Sequence, residues 1–177
     1  VSALVGFEAE RNKTDFMRST GEDLPVNALH TVYTAGTLDA NAYDWGYTML
    51  SILSRAEYNY ADRYYVSGSY RRDGSSRLGE AKRWGNFWSV AGSWRISNEA
   101  FMQNAPAISN LRLRGSYGVN GTLPSSNYGW RSLASYGNKY QGAPGGALAN
   151  AADSNLSWET SYTTNVALEF GFFKQRL

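Results

Sequence analysis

Six stretches of the chain alternate apolar and polar residues with a period of two. In 1–11, Val1, Ala3, Val5, Phe7 and Ala9 fall on one face and Ser2, Gly6, Glu8 and Glu10 on the other. Segment 48–60 is mixed at first and ends with Ala56, Tyr58 and Tyr60 opposite Arg55, Glu57 and Asn59. In RYYVSGSYRRDGSSRLG (63–79), Tyr64, Val66, Gly68 and Tyr70 oppose Tyr65, Ser67, Ser69 and Arg71. Segment 87–97 sets Trp88, Val90, Gly92, Trp94 and Ile96 against Ser89, Ala91, Ser93, Arg95 and Ser97. Segment 111–120 sets Leu111, Leu113, Gly115, Tyr117 and Val119 against Arg112, Arg114, Ser116 and Asn120. Segment 164–172 sets Thr164, Val166, Leu168, Phe170 and Phe172 against Asn165, Ala167, Glu169 and Gly171. A period of two marks strands with one apolar face, so the pattern predicts an all-β, antiparallel architecture.

The connections are unequal. Ala61-Asp62 forms a very tight turn, and 98–109 is a modest connection in which Asn98-Glu99 can open one helical turn. The others read as long polar loops: 14–47, 74–86 and 121 to about 162. Within them, Gly142–Gly146 and Pro124–Tyr128 carry the Gly, Pro, Ser and Asn of irregular chain. Segment Tyr128–Tyr140 can supply a projecting hairpin arm. Alternation of short and long connections is the habit of outer-membrane barrels, whose periplasmic turns are short and extracellular loops long. On that pattern the strand beginning at Tyr64 runs outward.

Composition narrows the class. Seventeen Lys and Arg against 15 Asp and Glu give a net charge of +2, scattered along the chain, which is no footprint for nucleic acid. Cysteine is absent and His30 is the single histidine, so disulfides, thiolate metal sites and histidine-rich metal sites are excluded; no cofactor is implied. Aromatics at 15% favour strands. No apolar run is long enough for a transmembrane helix. A transmembrane strand needs only about 9–11 residues, half of them polar. The chain begins at Val1 without methionine and stops just after a strand-like segment, so both ends look cut from something larger.

A soluble sandwich would show the same alternation. Three details favour lipid. Trp88 and Trp94 share a face six residues apart, roughly 20 Å of strand, close to the apolar band between aromatic girdles. Tyr58, Tyr60 and Tyr64 gather beside the Ala61-Asp62 turn, where a periplasmic girdle belongs. The opposite face carries Arg55, Arg71, Arg95, Arg112 and Arg114 among serines and glycines, with Glu57 and Glu169 as counter-charges, which suits a hydrated lumen. The long loops are a third departure from a compact sandwich.

Catalytic signals are thin. Asp73-Gly74-Ser75-Ser76 lacks the surroundings of a serine nucleophile and reads as an Asp-Gly turn. Glu57 with Glu169, or Asp62 with Asp73, would serve as a glycosidase pair only if the fold joined them. Gly115, Gly118 and Gly121 lie on a strand and are no nucleotide fingerprint. Sugar-binding sites stack aromatic rings on pyranose faces. Trp84, Tyr128, Trp130 and Trp158, with Tyr136 and Tyr140 nearby, lie in or beside the outward loops and are the candidate substrate-binding residues. Loop packing and girdle roles compete for each.

Several blocks in series resemble one family. SRAEYNYADRYYVSGSYRRDGSSRLG (54–79), KRWGNFWSVAGSWRISNEAFM (82–102), ISNLRLRGSYGVNG (108–121) and NLSWETSYTTNVALEFGFFKQRL (155–177) are similar, in order and spacing, to successive strands of SusC/RagA-type TonB-dependent outer-membrane transporters. VSALVGFEAER resembles the strand before them. The resemblance implies that residues 1–177 are part of an up-and-down transmembrane β-barrel, about six to eight strands of a 22-stranded whole. The plug domain and the carboxy-terminal strands would lie outside them. It further implies uptake of oligosaccharides or peptides across the outer membrane of a Gram-negative bacterium without chemistry on the substrate. The implied partners are a SusD-like surface lipoprotein and the TonB complex. The competing expectations are a self-contained outer-membrane barrel of about eight strands, acting as an adhesin or structural protein, and a soluble carbohydrate-binding sandwich.

Overall fold

The computed structural model describes residues 1–26, 28, 31–102 and 108–172. Its strands are β1 (Ser2–Glu22), β2 (Thr37–Tyr60), β3 (Tyr64–Ser75), β4 (Trp84–Arg95), β5 (Ile108–Thr122), β6 (Leu133–Tyr140), β7 (Ala143–Asn150) and β8 (Glu159–Phe172). Six of them form one antiparallel sheet in the order β1-β2-β3-β4-β5-β8, and β6 and β7 form a separate hairpin. Neighbours in the large sheet are neighbours in sequence except where that hairpin is inserted, the up-and-down order expected of a barrel wall.

The faces follow the period-two pattern. Tyr64, Val66, Gly68 and Tyr70 stand across from Trp94, Gly92, Val90 and Trp88, while Tyr65, Ser67 and Ser69 stand across from Ser93, Ala91 and Ser89. The burial is inverted relative to a water-soluble sheet. Val66 is 53% exposed and Val90 46%, with Phe7, Val166, Leu168 and Phe170 more exposed still. The polar positions Tyr65, Ser67, Ser69 and Arg71 are the half-buried ones. Buried hydrophobic residues reduce to Leu78, Phe87 and Val119 among the described residues. The chain exposes 13110 Å², against about 8,600 Å² for a compact monomer of its mass. A second sheet to cover the apolar face, which the soluble sandwich requires, is not there among the described residues.

The sheet curls. Ser2 of β1 and Asn165 and Ala167 of β8 line the same 670 Å³ hollow, although five inter-strand steps would put those strands roughly 24 Å apart in a flat sheet. The polar face is therefore concave and the apolar face convex. β1 and β8 are not paired with each other, so the sheet is a section of wall and not a closed eight-stranded barrel.

Two girdles bound the convex band. At the short-turn end, Tyr58, Tyr60, Tyr64 and Trp94 follow one another at centroid distances of 6.5, 6.5 and 6.3 Å. At the other end Trp88 meets Tyr117 edge-on at 5.6 Å, and Tyr70 donates a 2.8 Å hydrogen bond to Asn86. The turn at Ala61 and Asp62 has φ of 52° at both residues and closes with Arg63 N–H donating to the Tyr60 carbonyl. Such left-handed pairs match the twist of the flanking strands.

Three loop expectations need correction. Segment 14–47 is not one long loop: β1 runs on to Glu22, β2 starts at Thr37, and the two stay in register from Ser2↔Glu57 to Glu22↔Thr37. Beyond the end of β3 they form a two-stranded arm of residues 11–22 and 37–48, roughly 40 Å of extended chain. Outside a bilayer neither face of such an arm has to be apolar, so the alternation fades while the ladder persists. Gly142–Gly146 is likewise not irregular. Its glycines belong to a hairpin that turns at Gln141-Gly142, with φ of 48° and 84°, and enters β7 at Ala143. The projecting arm expected over 128–140 is there, but its first strand starts at Leu133. Pro124–Tyr128 is irregular, as expected, and two short 3-10 turns flank Glu99.

Candidate functional site

The concave face carries a row of arginines, most of them held by carboxylates of their own strand or of another strand of the sheet. Arg71 donates through Nε to Asp73 at 2.6 Å and through Nη2 to Glu8 and to Ser51 Oγ, both at 3.0 Å. Cross-strand register explains the cluster, because Asp73 faces Ser51 and Ser51 faces Glu8. Arg55 is bound to Glu57, which also accepts from Ser2 Oγ. Arg112 and Arg114 both pair with Glu169. Arg95 and Arg112 lie over the Tyr65 ring, each at 5.5 Å. The five arginines expected to face the lumen do so, with partners supplied by the wall itself.

Between them lies the 670 Å³ hollow, lined by Glu57, Asn59, Ser67, Ser93, Arg114 and Ser116 among others. Ser93 Oγ and Arg112 Nε are buried without a hydrogen-bond partner. The hollow mixes small apolar groups such as Ala91 and Ala167 with serines and opposite charges from Glu57 and Arg114. Glu57 and Glu169 are each committed to arginine. Asp73 is buried and paired with Arg71, while Asp62 accepts from Asn59 at the opposite end of the strands, so neither carboxylate pair forms a glycosidase constellation. Ser75 Oγ accepts the Arg77 N–H, Ser76 Oγ accepts the Thr48 N–H, and both serines serve the turn. His30 lies outside the described residues.

The end of the sheet with the long connections gathers most of the candidate aromatics. Tyr128 clasps Gly46, its hydroxyl accepting the Gly46 N–H at 3.1 Å and donating to the Gly46 carbonyl at 3.3 Å. Trp130 donates its indole N–H to the Ser76 carbonyl at 3.1 Å. Trp158 donates to the Arg83 carbonyl at 3.1 Å and packs edge-on against buried Phe87 at 5.2 Å. Arg77 sits 4.0 Å over the Tyr47 ring, and Leu78 is fully buried. Residues 76–83, 123–132 and 151–158 thus share one small core, which fixes the rim of the wall. Trp84 stands apart. It is the cross-strand partner of Gly74, whose missing side chain leaves room for the indole, and Arg72 lies 5.2 Å from its centroid on the convex face. Tyr136 and Tyr140 are exposed on the β6–β7 hairpin.

At the short-turn end, Glu99 accepts hydrogen bonds from Tyr64 Oη at 2.7 Å and Trp94 Nε1 at 3.0 Å and pairs with Arg63 at 3.3 Å. These bonds hold its carboxyl below the usual range. Asn98 adds a 3.0 Å bond to the Asp62 carbonyl. Two consecutive hairpins are tied together here. Sequence periodicity gave no hint of Glu99, because it lies between strands.

Comparison with known proteins fits this geometry. The TonB-dependent receptor P39 of Formosa agariphila is 31% identical over 100% of the chain, and the TonB-dependent receptor SusC of Bacteroides thetaiotaomicron 30% identical over 98%. A solved structure of the RagAB peptide transporter superposes on 98% of the chain with a TM-score of 0.87 and 30% identity. The chain is a section of SusC/RagA-type TonB-dependent receptor barrel. It spans 17% of P39, 18% of SusC and 20% of the matched RagAB chain. No family model matches it. For a SusC/RagA-type wall the two faces take on definite surroundings: hydrocarbon outside, where Val66 and Val90 point, and the lumen inside, where the arginine ladder lies.

Proposed function

We propose that this chain is part of the wall of an outer-membrane importer that takes up oligosaccharides or peptides through TonB-dependent gating, with no chemistry on the substrate. The observation that carries the proposal is the agreement of an inside-out burial pattern with a near-complete superposition on the RagAB peptide transporter. Energy comes from the TonB complex, and a SusD-like lipoprotein covers the outward face. The arginine ladder is the wet side, along which a plug or a solute can move. Tyr128, Trp130 and Trp158 belong to the rim that a substrate passes, and their rings are what a sugar or peptide meets there; Trp84, on the convex face, is left out of that role. Deleting the gene for the full-length receptor, or the TonB component, is expected to abolish uptake of one class of labelled oligosaccharide or peptide by whole cells. Unchanged uptake of both classes in both deletions contradicts the proposal.

A further inference from the structure

Charged groups on the concave face are largely held by one another, and on one face of the projecting arm Lys13 pairs with Asp15 at 2.8 Å, but on the arm's other face the charged groups are not paired. Arg18, Thr20 and Glu22 of β1 stand across from Asn41, Asp39 and Thr37 of β2, and these six residues line a hollow of 360 Å³. Thr37 donates to Asp23 at 3.2 Å. The side chains of Arg18, Glu22, Asp39 and Asn41 make no hydrogen bond or ion pair among the described residues. On the same face, one step nearer the membrane, Phe16 and Tyr43 are cross-strand partners. Their rings stack at 4.7 Å and 22°, and both stay 40–50% exposed. All of this lies six or more residues beyond Met49, where pairing with β3 begins, roughly 20 Å or more out along the strand.

We propose that this face of the arm is a saccharide-binding shelf, taking a neutral hexopyranose unit of an oligosaccharide. Two carboxylates accept, one guanidinium donates, and an amide and two hydroxyls do both, which matches vicinal hydroxyls that each donate and accept. The aromatic pair offers an apolar surface to the C–H face of the ring. The hollow's volume lies within the range of small-molecule sites, about 300–1,000 Å³. Its lining has one positive and two negative groups, so a polyanion finds no complement. An extended peptide draws its affinity from the backbone of a strand edge, whereas this face presents side chains.

The shelf rests on the import reading, and the test separates the two. Full-length receptor in detergent is titrated calorimetrically with hexasaccharides of glucose, galactose and mannose and with an uncharged glycine–serine hexapeptide. At least one hexasaccharide is expected to bind. Asp39→Asn and Glu22→Gln should each weaken it about tenfold, the loss of a charge-assisted hydrogen bond, and Tyr43→Ala at least as much. Lys13→Ala, on the arm's other face, should leave it unchanged. No hexasaccharide binding, indifference to all three variants, or loss of hexapeptide binding in the same variants overturns the shelf. Uptake by cells is read in parallel. Uptake that ignores the three variants sinks the shelf and leaves import standing, while shelf-dependent binding without uptake sinks import and leaves the shelf.

Discussion

Tyr64 and Glu99 join the two short turns at one end of the sheet through a 2.7 Å hydrogen bond, at the edge of the aromatic girdle. Hydrogen bonds from Tyr64 and Trp94 hold the Glu99 carboxyl below its ordinary range, against the opposing effect of burial. A carboxylate lowered in the folded state adds stability above its unfolded pKa, and that stability is lost as pH falls through the folded value. The stability that Glu99 supplies to the full-length receptor should therefore be fully present at pH 7 and fall away as pH drops below the ordinary glutamate range. Glu99→Gln should be less stable at pH 7 and lose part of the acid sensitivity. Denaturant midpoints at pH 7 and pH 3 check this; an unchanged pH dependence in Glu99→Gln contradicts it.

Val90 and Leu113 point from the convex face, Val90 across from Tyr117 and Leu113 across from Trp94. Arginine at either should cost about 2–4 kcal/mol when the face meets hydrocarbon near midplane. Ser67→Arg, on the concave face across from Glu57, should cost much less. Equilibrium unfolding of the receptor in bilayers measures all three, and equal costs would contradict the assignment of faces.

Arg71 neutralises Asp73, which is buried, while Arg71 itself is partly exposed. Arg71→Met leaves that carboxylate unpaired and should cost about 2 kcal/mol, below the full cost of breaking a buried pair because water reaches the arginine. Adding Asp73→Asn should recover most of the loss. A double variant no better than the single one would show that the pair is not what Arg71 supplies.

Tyr128→Phe removes both hydrogen bonds to Gly46. It should loosen residues 123–132 by about 1–2 kcal/mol, seen as faster amide exchange in that segment with the sheet unchanged. Gly46→Ala attacks the same contact from the other side, since its Cβ would lie 2.5 Å from the Asn12 carbonyl oxygen. Unaltered exchange in both variants would mean that the rim is held elsewhere.

The strands inside the apolar band were legible from the period of two, because hydrocarbon on one side and a polar lumen on the other force the alternation. Val66 against Ser67 and Leu113 against Arg114 are such positions. Where the chain leaves the bilayer that constraint lapses. The arm carrying Arg18 and Asp39 therefore looked like loop, and the Gly-Gly strand starting at Ala143 looked irregular. The loop aromatics were found by composition, but no sequence pattern marks which backbone groups Tyr128, Trp130 and Trp158 bind, since those partners lie 54–82 residues away along the chain. Glu99 escaped for a related reason: its partners come from β3 and β4, and a lone glutamate in a turn has no pattern.

The central claim is that the apolar face of the sheet meets lipid. It is tested most directly by spin labels on single cysteines at residues 64–71 of the full-length receptor in bilayers, the segment itself having no native cysteine. Accessibility to oxygen should peak at 64, 66, 68 and 70, and accessibility to a water-soluble nickel chelate should peak at 65, 67, 69 and 71. A profile without period two, or with the two phases exchanged, would contradict the claim.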